Sequence, residues 1–411
     1  MKFNVVVASP IWSLNGVNIF SANLVRELQQ RGISSEILLT QPHLPDPKPM
    51  RIPNDIPVNR LPVKDEDVYG DRWATLIRYL EARSPCIYIP NHDIEHSGIC
   101  PALSNSVAVV GVVHSDDPQH YEHVSRLGDS WNHVVTVSKT VARETVAQNP
   151  ALGDRLTVVP IGVRVPNQPP APKSRSNEPL KLLYAGVFKQ QQKQILDLPK
   201  IVQRLAEMGT PVTLTIAGGG PDEAALRAAA DPLVQQGLIT FIGIVPHDDM
   251  PSLLQSHDVF LMTSAYEGMP NALLEAMGQG CIPVATNIDS GIPDVVTDSE
   301  SGFLVGVGEI EQFADRITRL QRDTDLRNRL ARGAYDSVSQ GPYTIRAMVD
   351  SYVAIFEQAL TAAQQGQFHR APGKILPPPH MRPMWRHYLP LPVYQAARLS
   401  RRTLKRVTKT L

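Results

Sequence analysis

Short apolar runs alternate with amphipathic and polar stretches along most of the chain. Phe3 to Ala8 reads as a buried strand, Ser9 to Val17 as a loop, and Ile19 to Arg31 as an amphipathic helix closed by Gly32; Ile33 to Thr40 then resumes a strand. Apolar runs recur at Cys86–Ile89, Val107–Val113, His133–Val137 and Leu156–Pro160, separated by polar or helical stretches. This alternation predicts an open, mostly parallel α/β sheet. It stops between Arg164 and Pro179, where Val165-Pro166-Asn167-Gln168-Pro169-Pro170-Ala171-Pro172 reads as a linker. A second series follows at Leu180–Gly186, Val212–Ala217, Ile239–Ile242, Val259–Thr263 and Ile282–Ala285. The expectation is two α/β lobes with mostly parallel sheets facing a central cleft, with ligands beyond the carboxyl ends of the strands.

Leu320–Gln340 and Ala347–Ala363 read as helices, the second with Met348, Tyr352, Ile355, Phe356 and Leu360 on one side. The expected divisions are a first lobe at 1–163, a linker at 164–179, a second lobe at 180–345, a C-terminal helix at 346–370 able to pack back on the first lobe, and a tail at 371–411. No repeat of solenoid length is present.

Charge changes the picture only at the end of the chain. Lys plus Arg and Asp plus Glu are 40 each over 411 residues, but residues 371–411 hold nine basic side chains and no acidic one, leaving 31 basic against 40 acidic in residues 1–370. A mildly acidic body argues against a nucleic-acid binder. The tail from Leu391 to Leu411 places Val393, Ala397, Leu404, Val407 and Leu411 at helical spacing among Arg398, Arg401, Arg402, Lys405, Arg406 and Lys409. With Trp385 and Tyr388 before it, this suits an anionic membrane surface; a solvated basic tail is the alternative. Cys86, Cys100 and Cys281 lack paired spacing and read as reduced structural thiols, hence a cytoplasmic protein, peripheral at the membrane if the tail binds it. The opening apolar run is too short for a signal-peptide core, and no stretch approaches the ~20 apolar residues of a spanning helix.

The chemistry concentrates in Ser264-Ala265-Tyr266-Glu267-Gly268-Met269-Pro270-Asn271-Ala272-Leu273-Leu274-Glu275-Ala276-Met277, directly after an apolar run. On one continuous helix Glu267 and Glu275 would be separated by about 80° and roughly 12 Å of rise. Gly268 suits a tight loop and Pro270 a helix start, which places Glu267 on a loop and Glu275 on a helix, so that both can face one ligand. A carboxylate accepts two hydrogen bonds and so matches a vicinal diol, while a helix start offers N–H groups to a diphosphate. Two solvated charges around a helix cap are the alternative for the pair alone.

The stretch resembles the two-glutamate signature of family 4 (group 1) retaining glycosyltransferases, which have the glycosyltransferase-B fold of two Rossmann-like lobes. The other motifs follow in order: Ala185-Gly186 with Lys193, Ile216-Ala217-Gly218-Gly219-Gly220-Pro221, Phe241-Ile242-Gly243, and Gly280-Cys281-Ile282-Pro283-Val284-Ala285-Thr286. In the first lobe the match rests on Asn15-Gly16-Val17, His114 and Val137-Ser138. The resemblance implies a metal-independent glycosyltransferase with no cofactor, taking a nucleotide sugar, UDP or GDP type favoured, and an unidentified acceptor: a glycan, a lipid-linked sugar or a small molecule. It implies that Lys193 binds the donor diphosphate, Glu275 holds the ribose hydroxyls, Glu267 contacts the donor sugar and His114 approaches that sugar from the acceptor side, His92 being the competitor. Gly16, Gly243, Gly268, Met269, Pro270 and Asn271 complete the expected donor site, and His114, Lys193 and Glu267 the expected catalytic set. Two positions depart from the pattern. Val187 stands where an arginine usually makes the second phosphate contact, with Lys189 two positions on, and Ile161 stands where an asparagine is common. A non-catalytic or weakly active nucleotide-sugar-binding protein is therefore the alternative, followed by an epimerase or phosphorylase on the same fold. Asp65-Glu66-Asp67 reads as solvated charge rather than a metal site.

Overall fold

A computed structural model describes residues 2–13, 15–41, 52–64, 67–171, 178–365 and 374–379. These fall into two compact units, one drawn from 1–137, 142–159 and 349–411, the other from 138–141 and 160–348. The strands are β1 (Asn4–Ser9), β2 (Ser34–Leu39), β3 (Val58–Arg60), β4 (Cys86–Ile89), β5 (Val107–Val113), β6 (His133–Thr136), β7 (Leu156–Val158), β8 (Leu180–Val187), β9 (Val212–Gly219), β10 (Ile239–Gly243), β11 (Val259–Met262), β12 (Ile282–Thr286) and β13 (Phe303–Val305). The helices are α1 (Gly16–Gln30), α2 (Tyr69–Glu81), α3 (Pro118–Leu127), α4 (Lys139–Gln148), α5 (Gln190–Lys193), α6 (Asp197–Glu207), α7 (Glu223–Gln235), α8 (Met250–Gln255), α9 (Asn271–Gly278), α10 (Ile292–Val295), α11 (Ile310–Arg322), α12 (Thr324–Ser339) and α13 (Ile345–Gln364).

The first sheet has the order β3-β2-β1-β4-β5-β6-β7, and its pairings are parallel. β4 and β5 are buried along their whole length, which is why they read as unbroken apolar runs rather than alternating ones. Gly111 lets the Trp131 indole lie on β5, since a Cβ there would come within 2.0 Å of the ring. Asn15 caps α1 by accepting from the Asn18 N–H, and Gly32, at φ +74°, turns the chain after it. Within this unit α13 sets Tyr352 against Phe20 and Phe356 against Phe3, with Asp350 paired to Arg31 at 2.5 Å. Residues 374–379 also belong here. The Leu376 N–H donates to the Gly98 carbonyl at 2.9 Å and Arg126 donates to the Pro377 carbonyl at 2.5 Å.

The second sheet has the order β10-β9-β8-β11-β12-β13, again parallel throughout. The chain runs outward through β8, β9 and β10, then returns to place β11 on the other side of β8. The loops after β8 and β11 therefore flank the point where the strand order reverses, the place where such sheets bind ligands. The single helix expected over Leu320–Gln340 is two. Asp323 is extended and its side chain accepts from the Leu326 N–H, ending α11 and capping α12. The described part of the Pro-rich stretch packs on this unit: Tyr335 donates to the Pro166 carbonyl, and Pro170 covers Gly280.

The three cysteines are buried free thiols. Among the described residues no helix is long and apolar enough to cross a membrane. Residues 391–411, Trp385, Tyr388, Asp65 and Glu66 lie outside the described residues.

Candidate active site

Two glycines join the loops after β8 and β9. Gly218 has φ +133°, and a Cβ on it would come within 1.9 Å of the Gly186 carbonyl oxygen; one on Gly220 would meet the Phe188 carbonyl oxygen at 2.5 Å. With both side chains absent, Phe188 donates its N–H to Gly219 and accepts from the Asp222 N–H, while the Asp222 carboxylate takes the Gln190 N–H at 2.7 Å. The glycine run thus shapes the turn that starts α5. Lys193 ends that turn, and Gln194, in the left-handed region at φ +47°, redirects the chain. The loop after β11 holds it from the other side: Thr263 Oγ1 donates to the Lys193 carbonyl at 2.7 Å, and the Ala265 N–H donates to that of Gln192 at 2.8 Å.

Glu267 lies on that loop and is buried. Its Oε1 accepts a very short hydrogen bond from Lys193 Nζ and another of 2.6 Å from Ser264 Oγ. Gly268 and the buried Met269 are braced from the next loop: the Gly291 N–H donates to the Gly268 carbonyl, and a Cβ on Gly291 would meet Met269 Cε at 2.5 Å. Thr286 Oγ1 bonds the Ser264 carbonyl. Pro270, extended at ψ 110°, precedes α9, whose start has no side-chain cap and whose first residue is Asn271. Glu275 sits one turn further in, and burial pushes its carboxyl up to about 7. His247 Nδ1 approaches it at 3.8 Å from the short turn His247–Asp249 that follows β10. Gly243, at φ +72°, marks a register shift at the end of β10. Val187 ends β8 with a side chain 44% exposed, so the departure from arginine leaves an apolar group at this rim.

In the first unit, Gly16 opens α1 after β1, and Asn91, His92 and His114 follow β4 and β5. His114 is buried, edge-on to Phe20, with Nε2 2.9 Å from Asn91 Oδ1. Because Asn91 spends its amide N–H on the Ala8 carbonyl, Oδ1 is the acceptor and Nε2 of His114 carries the proton. Burial, then the neighbouring His120 and His92, lowers His114 to about 3, so the ring is neutral. His92 stacks on His120 at 4.0 Å.

The strand order brings Lys193, Ser264 and Glu267 together, and Glu275 lies on α9, which follows their loop. Sequence reasoning assigned no role to His247, Ser264, Asp222 or Asn91. Ser264 opened the stretch already singled out, and an Asp at a helix start after a glycine run was a usable signal for Asp222. Nothing local marks His247 or Asn91.

Two parallel-sheet, Rossmann-like α/β domains define the glycosyltransferase-B fold, and solved structures of that type superpose on the chain. TarM of S. aureus, solved with fondaparinux, α-GlcNAc-glycerol and UDP, does so with TM-score 0.69 at 12% identity, covering 87% of this chain and 100% of its own. HepE of Anabaena, solved with UDP and glucose, gives 0.67 at 15%, with 87% and 100% covered. At such identities the likeness is one of fold. Residues 168–337 match the family model of glycosyl transferases group 1. The lipopolysaccharide core biosynthesis glycosyltransferase LpsE of Rhizobium meliloti is 32% identical over 144 residues, 35% of this chain and 41% of LpsE. The N-acetyl-alpha-D-glucosaminyl L-malate synthase of Bacillus anthracis is 28% identical over 169 residues, 41% of this chain and 43% of the synthase. The chain thus spans less than half the length of these curated relatives.

Proposed function

We propose that the chain is a glycosyltransferase that moves a sugar from a nucleoside diphosphate to an acceptor, with retention and without a metal ion. The observation that carries this reading is the Lys193–Glu267 pair at the switch point of the second sheet, with Glu275 on the following helix. Glu275 accepts from the ribose hydroxyls. Lys193 turns from Glu267 to the diphosphate, neutralising the oxygen that gains charge as the glycosidic bond breaks, and the uncapped start of α9 adds N–H donors. Glu267, released, accepts from the donor sugar's hydroxyls. Positive charge from Lys193 and a helix end takes the place of a cation on the leaving group, the basis for metal independence. His114, neutral and held by Asn91, is not a proton donor of this reaction. Residues 391–411 would bring the enzyme to an anionic membrane and a lipid-linked acceptor.

Support comes from the match over residues 168–337 and from the UDP and glucose in the HepE structure. Calorimetry with UDP, GDP and ADP on wild type and Glu275→Ala tests the reading, alongside NMR of the anomeric proton in the product. Binding of one nucleotide, lost in the variant, supports it, and undiminished binding in Glu275→Ala refutes the ribose contact. The exposed Val187 favours a second reading, a nucleotide-sugar binder without transfer. Tight binding with neither transfer nor donor hydrolysis would select it.

A further inference from the structure

The Glu275 carboxylate has no hydrogen-bond donor among the described residues, and the one basic side chain they bring within ion-pair distance of it is His247, whose Nδ1 lies 3.8 Å from Oε1. That approach is built by the fold. The turn His247–Asp249 leads into α8, and α8 packs against α9, which brings the imidazole to the carboxylate. The surrounding elements offer no substitute. α8, β11 and β12 carry no charged side chain; Asp248 and Asp249 follow His247 in the same turn; Asp325, Arg327, Arg329, Arg332 and Asp336 of α12 form no ion pair with Glu275; and Glu267 is engaged by Lys193. An ionised carboxylate accepts from both hydroxyls of a diol, and partial burial favours its protonated form.

We propose that His247 is a positioning residue of the nucleotide site: as imidazolium it keeps the Glu275 carboxylate ionised and turned toward the ribose hydroxyls of a nucleoside diphosphate. The inference rests on the reading of Glu275 as the ribose contact. Burial pushes the Glu275 carboxyl up to about 7, the range over which an imidazole ordinarily gains its proton. In the wild type the ion pair offsets protonation of Glu275 and affinity holds into mildly acidic solution. Without His247 the carboxylate takes up a proton first and affinity falls as the pH drops.

The test is isothermal titration calorimetry with UDP, GDP and ADP at about pH 8.5, 7.5 and 6.5, roughly two units across the carboxyl's range. It compares wild type, His247→Gln, His247→Lys and Glu275→Gln, each first checked for wild-type melting temperature. The expected result is a His247→Gln loss of on the order of tenfold at the lowest pH, within about twofold of wild type at the highest, and restoration by His247→Lys. A His247→Gln profile parallel to wild type, at whatever overall affinity, overturns the proposal. Undiminished affinity in Glu275→Gln instead sinks the ribose reading beneath it, and absence of binding by the wild type to all three nucleotides sinks both.

Discussion

Replacing Lys193 by methionine separates what that residue does for the fold from what it does for the ligand. Glu267 is 6% exposed and keeps one hydroxyl donor, Ser264, once the ammonium is gone. Breaking a fully buried pair costs about 3–5 kcal/mol because the remaining charge is stranded. The Lys193 side chain is 20% exposed, so water reaches the site and about 1–3 kcal/mol is expected instead. Adding Glu267→Gln removes the stranded charge while the Ser264 hydroxyl retains an acceptor, and the double variant should recover most of that loss. Nucleotide affinity should behave differently: Lys193→Met loses a charge-assisted contact to the diphosphate, and the double variant regains none of it. Urea unfolding and calorimetry with UDP, GDP and ADP read the two quantities separately. Unchanged stability and unchanged affinity in Lys193→Met would refute both halves of the argument, and affinity restored together with stability would show that Lys193 acts only by holding Glu267.

Acid should destabilise the first unit. His114 and His123 are buried and lowered to about 3, so the unfolded chain binds more protons below about 6.5, stability is complete above that value, and each histidine costs roughly 2 kcal/mol by pH 5; a urea midpoint flat from pH 7 to 5 would contradict this. Gly98→Val drives a side chain into the Leu376 carbonyl, 1.9 Å from where a Cβ would sit, and should release residues 374–379, seen as faster proteolysis there than in wild type. Val187→Arg should tighten binding of a nucleoside diphosphate up to about tenfold by supplying a second phosphate contact, whereas equal or weaker binding would show that the β8 rim does not face the diphosphate.

The spacing and length of the apolar runs determined the fold class by themselves: runs buried on both faces, alternating with helical stretches, leave a parallel α/β sheet as the stable arrangement, and a Pro-rich break divides two such series. Local chemistry also placed Glu267 on a loop and Glu275 on a helix, because Gly268 and Pro270 act on backbone angles within a residue or two. Helix ends were less legible. The break at Asp323 lay in a cap signature that a continuous periodicity concealed. Only the tertiary structure decided which loops meet. Lys193 and Glu267 share a site because β11 returns to the side of β8 opposite β9, a choice of strand order that no local pattern encodes. The same holds for Asn91 with His114, His247 with Glu275, and Gly98 with Leu376. Each pair is made by a crossover or a returning segment, and its contribution appears only after loop closure has brought distant residues within a few ångströms.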